Sequence, residues 1–143
     1  MALALRDLPK GASPSFGRSG SLARNVPNPG LELSYVEYTS GVTISATTEA
    51  GATTIVTAAT LDLDGQAIVV EFFCPRLDVA DTADDVLITL WDGSTDLGRL
   101  GWHIATGADL SFPVHLVRKI TPTVGSHAYS IRGWKGCDAT SGR

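Results

Sequence analysis

From residue 31 onward the chain is written in short apolar runs rich in Val, Ile, Thr, Tyr and Phe, broken by Gly, Asp, Ser and Pro. This pattern predicts strands near Leu33–Tyr38, Val42–Ala46, Thr53–Ala59, Ala67–Cys74, Val86–Trp91, Thr95–His103, Phe112–Ile120 and Ala128–Trp134. Val86 to Trp91 and Tyr129 to Trp134 alternate most clearly, so every second residue of each can face a core. Ile68 to Phe73 is almost continuously apolar, as expected of a strand covered on both faces or lining a subunit contact. Trp91-Asp92-Gly93-Ser94-Thr95 carries an Asp-Gly turn, the strongest hairpin signal in the chain. No long segment keeps a helical period, which disfavours parallel nucleotide-binding sheets. Strands at this spacing fit an all-β, antiparallel β-sandwich or jelly roll.

Residues 1–30 follow neither period. Lys10 to Gly30 is a Gly, Ser and Pro mixture that ends in the turn-forming Pro27-Asn28-Pro29-Gly30. This predicts an extended N-terminal arm, residues 1–30, preceding one sandwich domain, residues 31–143. The arm's apolar residues, Leu5, Phe16 and Leu22 among them, are too sparse for a core and suffice to anchor an extended segment on another surface.

Charge sharpens that division. The net charge is −4, yet residues 1–30 carry +3, residues 31–112 carry −11 and residues 113–143 carry +4. A basic arm on an acidic body suits docking to an acidic protein surface or to a neighbouring copy, and argues against nucleic acid as the main partner. With 143 residues there is room for one domain, no run approaches the length of a membrane span, and Arg6 and Asp7 interrupt the place of a signal peptide's apolar core. A soluble protein with free thiols at Cys74 and Cys137 is expected.

Candidate chemistry is thin. His103, His115 and His127 match no metal-binding spacing, there is no nucleophile elbow, and the glycines are spread among turns. No catalytic residue, metal site or cofactor is assigned, and an enzyme is not expected. The carboxylates of Asp78, Asp81, Asp84 and Asp85, and those of Asp62 and Asp64, could offer oxygens to Ca²⁺ but lack an EF-hand's glycine and terminal glutamate, so solvated connections and turns are expected. Trp91, Trp102 and Trp134 could form an aromatic platform for sugars or belong to the core; Trp102 and Trp134, toward strand ends, are the ligand-facing candidates.

Ile68 to Pro75 (IVVEFFCP), Leu87 to Gly98 (LITLWDGSTDLG), Val117 to Pro122 (VRKITP) and Gly125 to Arg132 (GSHAYSIR), taken in order, resemble the jelly-roll domains, similar in fold to tumour necrosis factor, that recur in structural proteins of tailed bacteriophages. The resemblance spans roughly residues 42–134. It implies a homotrimer with Val70, Phe72 and Tyr129 at the seam, and a capsid decoration or minor capsid protein on the virion exterior, made in the host cytoplasm. Leu5, Arg6, Phe16, Arg18, Leu22 and Arg24 would anchor the arm to the major capsid protein, with no direct nucleic acid and no membrane involved. The alternative it leaves is a carbohydrate- or receptor-binding module of a head or tail fibre. Such domains commonly continue through a glycine-rich loop into a final strand, whereas this sequence stops at Arg143. Either that strand is missing or a neighbouring chain supplies it.

Overall fold

A computed structural model of the chain describes residues 1–7, 32–79, 85–104 and 110–136. These residues are all-β, with no helix among them. One antiparallel sheet is built from β2 (Glu32–Glu37), β1 (Ala2–Asp7), β5 (Ile68–Val79) and β8 (Leu110–Ile120), in that order. The second orders β3 (Thr53–Thr57), β10 (Tyr129–Gly136), β6 (Asp85–Asp92) and β7 (Thr95–Ile104). A two-stranded ribbon of β4 (Leu61–Asp64) and β9 (Val124–His127) lies apart from both.

The two larger sheets form a sandwich because their inward positions are apolar at a period of two. Leu3, Ile68, Val70, Phe72, Cys74 and Val114 from one sheet share a buried core with Ile55, Val56, Val86, Ile88, Leu90 and Ile131 from the other. The β6–β7 hairpin turns at Gly93-Ser94, where Gly93 holds φ +56°, the left-handed backbone such tight turns require. Gly65, at φ +82°, follows β4 in the same way, and the Asp64 carboxylate accepts the Gln66 amide beside it at 3.0 Å. Asp64 of that segment thus makes a turn, while Asp62 is a ladder position of β4 opposite Ser126.

Residues 2–7 depart from the expectation of a free arm. They form a strand hydrogen-bonded on both sides, with Leu3 opposite Val36 on β2 and Phe72 on β5. Leu3 is fully buried. Leu5 and Arg6, expected to anchor the arm to a capsid, are instead ladder positions opposite Val70 and Val69. The physical reason is the alternation of Ala2-Leu3-Ala4-Leu5, four residues of strand pattern too short to stand out in the sequence. Phe16, Arg18, Leu22 and Arg24 lie outside the described residues.

Three further differences concern strands. Val42–Ala46 lies in no sheet, although the Ala46 carbonyl accepts the Lys135 amide at 2.7 Å and Ile44 packs on the core. The short strands β4 and β9 go unseen in the sequence because each is four residues long and carries poor strand formers, Asp in one and Gly and Ser in the other. The expectations for β5 and β6 are met in part. Val86, Ile88 and Leu90 of β6 face the core as its alternation predicts, but Asp85 to Trp91 is buried throughout because the other face is covered too. β5 alternates between buried and more open positions and so is not covered on both faces.

Candidate interaction faces

Each sheet turns one face to the core and one outward, and the register assigns residues to the outer faces. On the β2-β1-β5-β8 sheet, one outward rung runs Tyr35, Ala4, Glu71, Val117, and the next runs Glu37, Ala2, Phe73, His115. Tyr35, Phe73 and Val117 are 52%, 44% and 59% exposed, a cluster of large apolar side chains on adjacent rungs. His115 Nε2 lies 2.8 Å from the Glu71 carboxylate, and its ring meets Phe73 edge-on at 6.2 Å. The face therefore combines exposed apolar side chains with polar ones: the Glu71–His115 pair between them, and Glu37 on the rung of Phe73.

Val70, Phe72 and Tyr129, the seam residues that the resemblance implies, do not lie on this face. Each is 1% exposed within a single chain, so each is core and has no surface left to offer a partner. Val70 and Phe72 belong to the inward set of β5, one position out of phase with Glu71 and Phe73.

The outer face of the β3-β10-β6-β7 sheet is built differently. Trp134 on β10 and Trp102 on β7 both pair with Leu87 on β6, so the two ligand-facing candidates flank one leucine on a single rung. The next rung is Arg132, Thr89, Arg99, and the one after it Ser130, Trp91, Asp96. All three tryptophans of the chain thus share this face. Leu87 and Trp91 are nonetheless only 5% and 7% exposed, because neighbouring side chains cover them.

The cover has a specific structure. The Arg132 guanidinium lies 4.2 Å over the Trp91 ring, donates to the Gly93 carbonyl at 2.6 Å and to the Ser130 hydroxyl at 3.3 Å. Beneath it the Trp91 indole N–H donates to the buried Thr89 hydroxyl at 2.8 Å, and that hydroxyl donates to the Arg132 carbonyl at 3.4 Å. Arg99 sits 5.6 Å from the Trp102 ring centre. Trp102, at 36% exposure, is the most open of the tryptophans. At the margin of this face, burial first and Asp96 second push the Glu49 carboxyl above its ordinary value.

The remaining polar groups are mostly committed to structure. Asp78 is held below the usual carboxylate range, first by the Ser111 hydroxyl and then by Arg76. Among the described residues no cluster of three metal-ligating side chains occurs, and Ala80 to Asp84 of the acidic connection lie outside them. A cavity of about 460 Å³ opens between the sheets, walled by Ile44, Ile55, Phe72, Ile88 and Val114. The Cys74 thiol on its wall donates to the Arg76 carbonyl at 3.0 Å. Comparison of the chain with protein families, characterised proteins and solved structures finds no match.

Sequence reasoning placed Trp102 and Trp134 on the surface but missed Tyr35, Phe73 and Val117. The available signal was the alternation Val69, Glu71, Phe73 against Ile68, Val70, Phe72, which separates the two faces of β5 once the strand is read in phase.

Proposed function

We propose that this chain is a structural protein of a bacteriophage virion, a capsid decoration or minor capsid protein that assembles as a homotrimer and does no catalysis. The observation that carries the proposal is the exposed strip of Tyr35, Phe73 and Val117 on an all-β sandwich. Such a strip is costly to leave in water, and packing against further copies of the same chain in a closed ring removes that cost. The trimer seam therefore moves from Val70, Phe72 and Tyr129 to the outer face of the β2-β1-β5-β8 sheet.

The strand order lends support. β2-β1-β5-β8 facing β3-β10-β6-β7 matches the two four-stranded sheets of a jelly roll, with β1 standing where the final strand would run.

Attachment to the shell falls to the segment between β1 and β2, with Phe16, Arg18, Leu22 and Arg24 as anchors. Deleting residues 1–30 would remove a core strand, so the informative variant replaces residues 10–29 with a short Gly-Ser linker. Co-sedimentation with heads of the parent phage tests this: the full chain pellets with the heads and the linker variant stays in solution. Equal pelleting of both would contradict the attachment.

A second function, recognition of a carbohydrate, is favoured by the rung that joins Trp102, Leu87 and Trp134. Flat indole rings stack on the apolar faces of pyranoses. Glycan-array binding that Trp102→Ala abolishes would support it, and an array without signal would remove it.

A further inference from the structure

His127 closes β9 and is only 9% exposed at its side chain. Its Nδ1 lies 2.6 Å from the Asp92 carboxylate, and its Nε2 lies 3.0 Å from the Thr123 carbonyl. Both partners are acceptors. A neutral imidazole carries one N–H and can satisfy only one of them, leaving two lone pairs in contact at the other; the imidazolium carries two and satisfies both.

Asp92 is the last residue of β6, at the mouth of the β6–β7 hairpin. Its other oxygen accepts the Ala128 amide at 3.0 Å, and the Ala128 carbonyl accepts the Gly93 amide at 2.9 Å. The hairpin and the β9–β10 corner are thus joined by these two bonds, and the His127–Asp92 contact adds a third tie on the other carboxylate oxygen. Through the pairing of His127 with Leu61, the same residue fastens the β4–β9 ribbon to the sandwich.

We propose that His127 is a protonation-controlled clasp: as imidazolium it ties the β6–β7 hairpin to the Thr123 loop, and on deprotonation it releases one of them and loosens the β4–β9 ribbon. The groups that face it agree with that assignment. From β6 comes Asp92, whose hydrogen bond lifts the imidazole above its ordinary value of 6.5; burial opposes this, and the Thr123 carbonyl and the charge of Asp92 add to it. From β10, the Tyr129 ring stacks on His127 at 5.7 Å, and burial, aided by Asp92, pushes its phenol up to about 12, so it stays neutral. Arg132, also on β10, grips the hairpin at the Gly93 carbonyl. From β4 the pairing residue is Leu61, followed by Asp62 opposite Ser126.

The sign follows from linkage. A folded-state value raised above the unfolded one contributes stability that is complete below about pH 6.5 and fades as pH rises through the folded value. Two measurements on the full chain test this. An NMR titration of the imidazole resonances follows His127 directly, and urea midpoints are taken across about pH 5 to 9 for the full chain, His127→Gln and His115→Gln. His127 titrating above 6.5, together with a fall in midpoint that His127→Gln removes and His115→Gln keeps, is expected. Titration of His127 at or below 6.5 would overturn the clasp even if the variant fails to fold, as would a fall in midpoint that His127→Gln leaves intact.

Discussion

The two outer faces of the sandwich solve the same problem in opposite ways. Both carry large apolar side chains. On the β3-β10-β6-β7 sheet the chain covers its own: Arg132 lies over Trp91, and Trp102 and Trp134 flank Leu87. On the β2-β1-β5-β8 sheet Tyr35, Phe73 and Val117 stay open, with the Glu71–His115 pair between them and Glu37 on the rung of Phe73. The difference teaches that apolar content alone does not mark an interface. What matters is whether the long side chains that could fold over it are present on the neighbouring strands.

This contrast can be broken experimentally. The largest effect is expected at Trp91→Ala, which removes a buried ring and undoes the Arg132 cover; a loss of about 3–5 kcal/mol in urea unfolding is expected. Leu3→Ala comes next, at about 2–5 kcal/mol, because β1 is a core strand. A loss below about 0.5 kcal/mol there would return residues 2–7 to the free arm. Thr89→Val keeps the shape but takes away the acceptor of the Trp91 N–H, which should cost about 1–3 kcal/mol. On the open face the order changes. Phe73→Ser should alter the stability of the single chain by about 1 kcal/mol or less, while lowering the mass of the assembly in solution. The smallest effect belongs to His115→Gln, since its pairing with Glu71 is exposed and contributes about 0.5 kcal/mol at most.

How much of this could be read in the sequence depended on range. The β5, β6, β8 and β10 strands were legible because each holds several β-branched or aromatic residues, and β7 because the Asp-Gly turn leads into it. The Asp-Gly hairpin was legible because its turn chemistry is local, though nothing local reveals that Asp92 also binds a histidine 35 residues away. β1 was hidden by its Gly- and Pro-rich sequel, which drew the whole of residues 1–30 into one arm. The burial of the second face of β6, and the openness of that of β5, have the same origin. Burial on a second face comes from strands far along the chain, and Trp102, Arg132 and Trp134 do not announce in sequence what they will cover.

The site was less legible than the fold for the same reason. Val70, Phe72 and Tyr129 were named as the seam through the resemblance, and their apolar character is why the single chain buries them. Residues open to a partner are their neighbours one position out of phase, and period-two phase is settled only by pairing. Trp102 and Trp134 were legible as a pair, while their meeting across Leu87 required the register of three strands.

Light scattering on the full chain and on the double variant Phe73→Ser/Val117→Ser tests the central claim most directly. A mass near three times 15.0 kDa for the full chain, falling to a single chain in the variant while it remains folded, is the expected result. A full chain that is monomeric at all concentrations, or a variant that keeps the trimer mass, would contradict the assignment of the open face as the seam.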